Sequence, residues 1–231
     1  LVIVGKGMAW SHAEDEVREF IEKTQLPFLA SPMGKGVVPD DHPLSVGAAR
    51  TTALQDADLV FLMGARLNWI MHFGLPPRFD KDVRVIQLDN AAEEIHANVP
   101  AEVGLVGDGK AVVGQLNKAL EDRQWFYPAE TDWRNVLGEK ASANAEAVQP
   151  MIDDKSAPTN YYRAFKDIRD WLSEDAIVVS EGANTMDIGR TQMPNSLPRS
   201  RLDAGSYGTM GIGMGFAIAA AAVHPERPVV A

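Results

Sequence analysis

The chain is predicted to be an α/β protein: a Rossmann-like parallel-sheet domain followed by a second α/β unit that is truncated. Three observations carry this. Strand and helix patterns alternate through residues 1–120, several of the strands are apolar without interruption, and the alternation restarts near residue 158 after a stretch rich in charge and proline. Strands that are apolar on both faces belong in parallel sheets covered by helices on each side.

Residues 1–4 (Leu1, Val2, Ile3, Val4) read as the first strand. A helix is expected over 11–25, because Ala13, Val17, Phe20 and Ile21 fall on one face of a 3.6-residue period. Strands follow at 27–30, 59–63, 83–88 and 103–106. A helix over 109–120 carries Val112, Val113, Leu116, Ala119 and Leu120 on its apolar side, with Asp108 as its expected N-cap. Residues 1–122 thus make one domain, and 123–157, punctuated by Pro128 and Pro150, read as a linker with one modest helix over 133–140. The second unit, 158–231, offers a helix at 161–172, a strand at 177–180, helices at 185–192 and 211–223, and a strand opening at Pro228. Residues 211–223 form the longest apolar run, short of the about 18 residues of a membrane span, and are expected to be a buried helix.

At 231 residues and 45% hydrophobic content, the chain can bury the cores of one large or two ordinary domains. A net charge of −10 and a pI near 4.9, with no cluster of Lys and Arg, argue against a nucleic-acid partner. The absence of cysteine excludes disulfides, a thiolate nucleophile and Cys-ligated metal. His12, His42, His72, His96 and His224 are scattered without metal-site spacing, and neither a Gly-x-Ser-x-Gly elbow nor a Walker loop occurs. The chain opens directly on a strand, so no signal or transit peptide is expected at that end, and no membrane partner is expected.

Two segments carry chemistry. Ile177, Val178, Val179 and Ser180 run into Glu181, Gly182, Ala183, Asn184 and Thr185, a turn of small and hydrogen-bonding residues at a strand end that can turn backbone N–H groups toward a phosphate. Some twenty residues on, 201–213 (RLDAGSYGTMGIG) places glycines where backbone must lie close to a ligand and then enters an Ala-rich helix. Each has a plainer reading: a common strand-to-helix turn, and glycines that permit tight helix–sheet packing. In the first domain, Lys6, Arg66, Asp89 and Asp108 fall at or just after strand C-termini, where open α/β sheets bind ligands. Arg66 suits a phosphate and Asp89 suits ribose hydroxyls, and a surface ion pair is the alternative for both. Gly5, Lys6 and Gly7 do not complete a dinucleotide fingerprint, since Trp10 stands at the third glycine position. Lys35 is a candidate for reaching a ligand phosphate, with a solvated loop lysine as the alternative.

The order and spacing of these segments resemble the thiamine diphosphate enzymes, most closely the 2-hydroxyacyl-CoA lyases, with oxalyl-CoA decarboxylases next. The likeness extends to PMGKGVVPDDHP at 32–43 and MGARLNW at 63–69, and the continuation IMHFGLPPR at 70–78 favours the lyase. It implies that 1–122 is the central domain, holding ADP or the ADP part of CoA, and that 158–231 is the start of a thiamine diphosphate-binding domain. Glu181, Gly182, Ala183, Asn184 and Thr185 would then meet the diphosphate, with Ala183 and Asn184 the direct contacts, and Tyr161 would line the same site. Gly208, Thr209 and Met210 would meet the aminopyrimidine, the Gly208 carbonyl accepting from its amino group and the Met210 side chain wedging between the rings. The implied activity is cleavage of a 2-hydroxyacyl-CoA to an aldehyde and formyl-CoA, a reaction of fatty acid α-oxidation. The rival readings are oxalyl-CoA decarboxylase and a non-catalytic ADP/CoA-binding module. The family's catalytic glutamate is expected in a preceding domain and its Mg²⁺ ligands beyond residue 231, so no catalytic or metal residue is assigned here and the fragment alone is expected to be inactive. For the intact protein the resemblance implies a homodimer or homotetramer. It also implies an intracellular location, peroxisomal in a eukaryote and otherwise cytoplasmic.

Overall fold

The computed structural model describes the backbone of residues 1–231 and every side chain but that of Ala183. Five short strands, β1 (Val2–Val4), β2 (Phe28–Ala30), β3 (Leu59–Met63), β4 (Arg84–Asp89) and β5 (Val103–Val106), form one parallel sheet in the order β2-β1-β3-β4-β5. Val2, Ile3 and Val4 are wholly buried, as expected of a strand sandwiched between helices. Their alternation sorts the core into two layers. Ile3, Leu29 and Leu62 lie in one with Leu54 and Leu137, while Val2, Val4, Phe28 and Met63 lie in the other with Val17, Ile21 and Val113.

The helix expected over 11–25 is α2 (Glu14–Thr24); a short helix that was not expected, α1 (Lys6–Trp10), precedes it, and between them His12 takes the left-handed conformation at φ 52°. A further short helix, α3 (Arg50–Asp56), buries only Ala53 and Leu54, too narrow an apolar face to stand out in the sequence. Helix α4 (Gly109–Glu121) begins as expected, with the Asp108 carboxylate accepting from the Ala111 N–H at 2.9 Å.

The stretch read as a linker with a helix over 133–140 needs correction. It holds α5 (Asp132–Asp153), 22 residues long and N-capped by Thr131, and α5 packs on the first domain. Leu137 is 2% exposed in the core, Trp133 and Ala141 pack beside it, and Asn144 and Arg134 donate to the carbonyls of Ala48 and Gln25. This segment is part of the first layer structure rather than a tether.

The second unit comprises α6 (Tyr161–Trp171), β6 (Ile177–Ser180), α7 (Ala183–Gln192), β7 (Arg201–Asp203), α8 (Ile212–Val223) and β8 (Val229–Val230). Its strands make a parallel sheet in the order β7-β6-β8. Strand β7 was not expected, because its first and last residues are charged; both are nonetheless buried, Arg201 at 2% and Asp203 at 4% exposure. Helix α8 also differs from expectation. Only Gly213 and Ala220 are buried, while Met214, Ile218 and Val223 are exposed. No helix among the described residues is long and apolar enough to cross a membrane.

Polar contacts seam the two units. The Lys35 ammonium lies 2.7 Å from Asp40 and donates at 2.7 Å to the Arg190 carbonyl, while Asp40 accepts from the Asn195 N–H. Arg199 makes a two-pronged pair with Glu14, its Nη2 2.8 Å from Oε1 and its Nη1 3.2 Å from Oε2. The Arg199 hydrogen bonds hold the Glu14 carboxyl below its ordinary 4.5. A depressed acid stabilises the fold above its unfolded pKa, and that contribution disappears as pH falls through the folded value. Glu14→Gln is therefore expected to lower stability at pH 7 and to narrow its difference from wild type below pH 4.5, measured by urea unfolding at each pH. A constant difference across that window would contradict the assignment.

Candidate functional site

The strand order places a topological switch point between β1 and β3, where the connections leave in opposite directions and a crevice opens at the strand C-termini. The crevice is a cavity of about 440 Å³, reached by Lys6 after β1, Arg66 after β3, Asp89 at the end of β4 and Asp108 after β5. All four expected residues are thus brought together. Asp89 is 6% exposed and accepts from the Ala91 N–H at 2.9 Å and from Arg66 Nε at 3.2 Å. Arg66 also approaches Glu94 at 3.0 Å, and its hydrogen bond to Asp89 raises its pKa further. The surface-pair alternative for Arg66 and Asp89 is therefore realised in form, yet the pair stands inside the cavity. An exposed guanidinium held over a buried carboxylate presents a donor face to a phosphate and an acceptor to hydroxyls.

Lys35 is a correction. Its ammonium is taken up by Asp40 and the Arg190 carbonyl, away from the cavity, and burial lowers its pKa. It is neither a solvated loop lysine nor free to meet a ligand.

The second site lies on the other unit. Strand β6 delivers Glu181 and Gly182, and Gly182 caps α7 at φ +84° with no side chain capping the helix. Nothing lies within 4 Å of where its Cβ would be. The first N–H groups of a helix without such a cap form an anion site when a second feature closes it, and here α6 packs alongside with Tyr161 half exposed at its start. Asn184 is exposed and Thr185 half-buried; the side chain of Ala183 lies outside the described residues. Gly208, left-handed at φ +62°, ends the turn Gly205–Tyr207 and leads to Thr209 and Met210, the latter 87% exposed. Open space at the helix N-terminus and an apolar side chain with little protein around it fit a diphosphate joined to aromatic rings.

Glu181 plays a different part from the one expected. Its carboxylate accepts from the N–H groups of Gly211 and Gly213, so it closes the N-terminus of α8. It ties the 181–185 turn to the 208–213 segment. Sequence reasoning assigned no role to Asp203, Ser206, Asn68 and Trp69, which join the two sites; their signal was that they fall within the segments 201–213 and 63–69. Among the described residues, no group of three or more His, Cys, Asp or Glu is placed to hold a metal.

A cavity at a switch point in one unit, with an uncapped helix and a left-handed glycine turn in the other, makes a two-unit α/β protein with room for ligands at its strand ends. The family model of the thiamine pyrophosphate enzyme central domain matches residues 1–116, and that of the C-terminal TPP binding domain matches 182–231. The chain belongs to the thiamine pyrophosphate enzyme family. It is 55% identical over 227 residues to 2-hydroxyacyl-CoA lyase 1 of Homo sapiens, covering 98% of this chain and 39% of that protein. It is 43% identical over 234 residues to oxalyl-CoA decarboxylase of Escherichia coli K12, covering 100% of this chain and 41% of the relative. The chain thus spans about two fifths of the length of these curated relatives. A solved structure from Mycobacterium smegmatis, described as a thiamin diphosphate-dependent enzyme, superposes with a TM-score of 0.69 at 24% identity over 99% of this chain and 43% of its own, a likeness of fold.

Proposed function

We propose that the protein carrying this chain is a thiamine diphosphate-dependent carbon–carbon lyase that cleaves a 2-hydroxyacyl-CoA to an aldehyde and formyl-CoA. The observation that carries the reading is the uncapped N-terminus of α7 beside the left-handed Gly208 turn. The similarity to 2-hydroxyacyl-CoA lyase 1 selects the substrate class. When bound, thiamine diphosphate supplies the carbanion and the electron sink for breaking the carbon–carbon bond. The chain's own residues bind and orient. Backbone N–H groups of Ala183, Asn184 and Thr185 donate to the diphosphate, which Mg²⁺ accompanies, and Gly182 leaves room for it. The Gly208 carbonyl accepts from the pyrimidine amino group, the Met210 side chain holds the rings bent, and Tyr161 lines the site. Glu181 acts only through the backbone of Gly211 and Gly213. In the intact protein a homodimer or homotetramer in an intracellular compartment, peroxisomal in a eukaryote, completes the reading.

Assay of the full-length protein tests it: aldehyde and formyl-CoA released from a long-chain 2-hydroxyacyl-CoA support it. Turnover of oxalyl-CoA instead assigns the decarboxylase. Nucleotide binding with no turnover of either assigns a non-catalytic module.

The cavity in the first unit, in this reading, holds ADP or the ADP part of the acyl-CoA, with Lys6 and Arg66 toward phosphates, Asp89 toward the ribose and Asp108 at the rim. Losing a charge-assisted contact costs about 1.5–3 kcal/mol. Arg66→Ala is therefore expected to weaken ADP binding roughly tenfold or more by calorimetry. Unchanged affinity refutes the role of Arg66, and no binding to the wild type refutes the site.

A further inference from the structure

The cavity and the segment 208–210 share one wall, the single turn Gly205–Tyr207. Gly205 and Ser206 line the cavity on one side, and Gly208 leaves the turn on the other. Two neighbouring residues of the first unit hold this turn from outside its own domain. The Trp69 indole N–H donates to the Ser206 carbonyl at 2.5 Å, and its ring edge lies 3.7 Å from where a Cβ on Gly208 would stand. The Asn68 amide N–H donates to Ser206 Oγ at 3.0 Å, while its carbonyl oxygen accepts from the Ile70 N–H at 3.1 Å, which fixes which way the amide faces. Within its own unit, among the described residues, the turn has one side-chain anchor, Asp203, accepting from the Gly205 N–H at 2.9 Å.

We propose that Trp69, seconded by Asn68, is a positioning residue for the pyrimidine-binding segment, reaching across from the central domain to set the orientation of the Gly208 carbonyl. The inference rests on the cofactor reading above. Trp69 is 47% exposed, so it serves little as core. A carbonyl at left-handed Gly208 has no regular secondary structure to fix its direction, so the groups that hold Ser206 and crowd Gly208 decide it. Met210, two residues on, inherits the same frame.

The test uses the full-length protein. Trp69→Phe removes the donor and keeps an aromatic ring. It is expected to weaken thiamine diphosphate binding about three- to tenfold, the worth of one hydrogen bond, leaving the KM for acyl-CoA and the unfolding midpoint unchanged. Ser206→Ala, which takes away the Asn68 contact only, is expected to act in the same direction and less. A spectroscopic readout separates position from general damage. Of this chain's five tryptophans, Trp69 lies beside Gly208, so the cofactor-induced change in indole emission should be smaller in Trp69→Phe than in the wild type and unaltered in Trp171→Phe. If the wild type binds cofactor and Trp69→Phe binds it as tightly with its emission change intact, the positioning role is overturned and the lyase reading stands. If the full-length wild type binds no thiamine diphosphate, both fall together.

Discussion

Gly5→Ala is expected to destabilise the chain by on the order of 4 kcal/mol, among the largest effects a single methyl can have. A Cβ at Gly5 would stand 2.0 Å from the Gly64 carbonyl oxygen and 2.5 Å from the Ala65 nitrogen. The three atoms nearest to it are all backbone, so no side chain can swing aside to relieve them. The contact is built into the sheet: Gly5 donates to the Met63 carbonyl at 2.8 Å and Gly7 to that of Gly64 at 3.1 Å, which pins the turn after β1 against the turn after β3. Those turns carry Lys6 and Arg66, so relief of the clash would also spread the crevice that they line. Urea unfolding followed by circular dichroism reads the effect. Gly138→Ala is the control, because nothing lies within 4 Å of its Cβ position inside α5, and there alanine should stabilise by about 0.5–1 kcal/mol. A Gly5→Ala protein within about 1 kcal/mol of wild type would refute the close approach.

What the sequence made legible follows from the range of the forces involved. The uninterrupted apolar run 59–63 is a strand at those residues, because burial on both faces leaves a local mark; 103–106 is also a strand, yet at the sheet edge it leaves Val103 and Val106 exposed. Asp108 is the N-cap of α4 because capping acts within one turn. The four cavity residues could be placed because strand C-termini point at ligands in any sheet of this kind. Short helices such as α3 leave too narrow an apolar face to be seen; the other misses involve distant partners. Strand β7 hides behind Arg201 and Asp203, whose charges the folded chain buries. Lys35 looks like a loop cation until Asp40 and Arg190, the second 155 residues away, are seen beside it. Glu181 reads as part of a phosphate turn, yet its carboxylate is spent on glycines 30 and 32 residues along. Helix α5 is rich in small and charged residues and has Pro150 inside it, so the packing of Leu137, Trp133 and Ala141 left no clear local mark.

The second large effect falls on activity and leaves the fold alone. Met210 is 87% exposed, so removing its side chain sacrifices almost no packing, and stability should change by less than about 1 kcal/mol. Its backbone is nonetheless set from both sides, by the Gly205–Tyr207 turn under Trp69 before it and by the Glu181 carboxylate on Gly211 after it. A large apolar side chain on a positioned backbone, lacking protein around it, is suited to a ligand. In the full-length protein at saturating thiamine diphosphate, Met210→Gly is expected to lower turnover on the order of 100-fold, the scale at which loss of near-attack geometry acts. Met210→Leu should keep turnover within a few-fold, since leucine conserves the volume and only shape is asked of the residue. Equal losses in both variants would point to sulfur chemistry and away from a wedge, and full activity in the glycine variant would remove Met210 from the site.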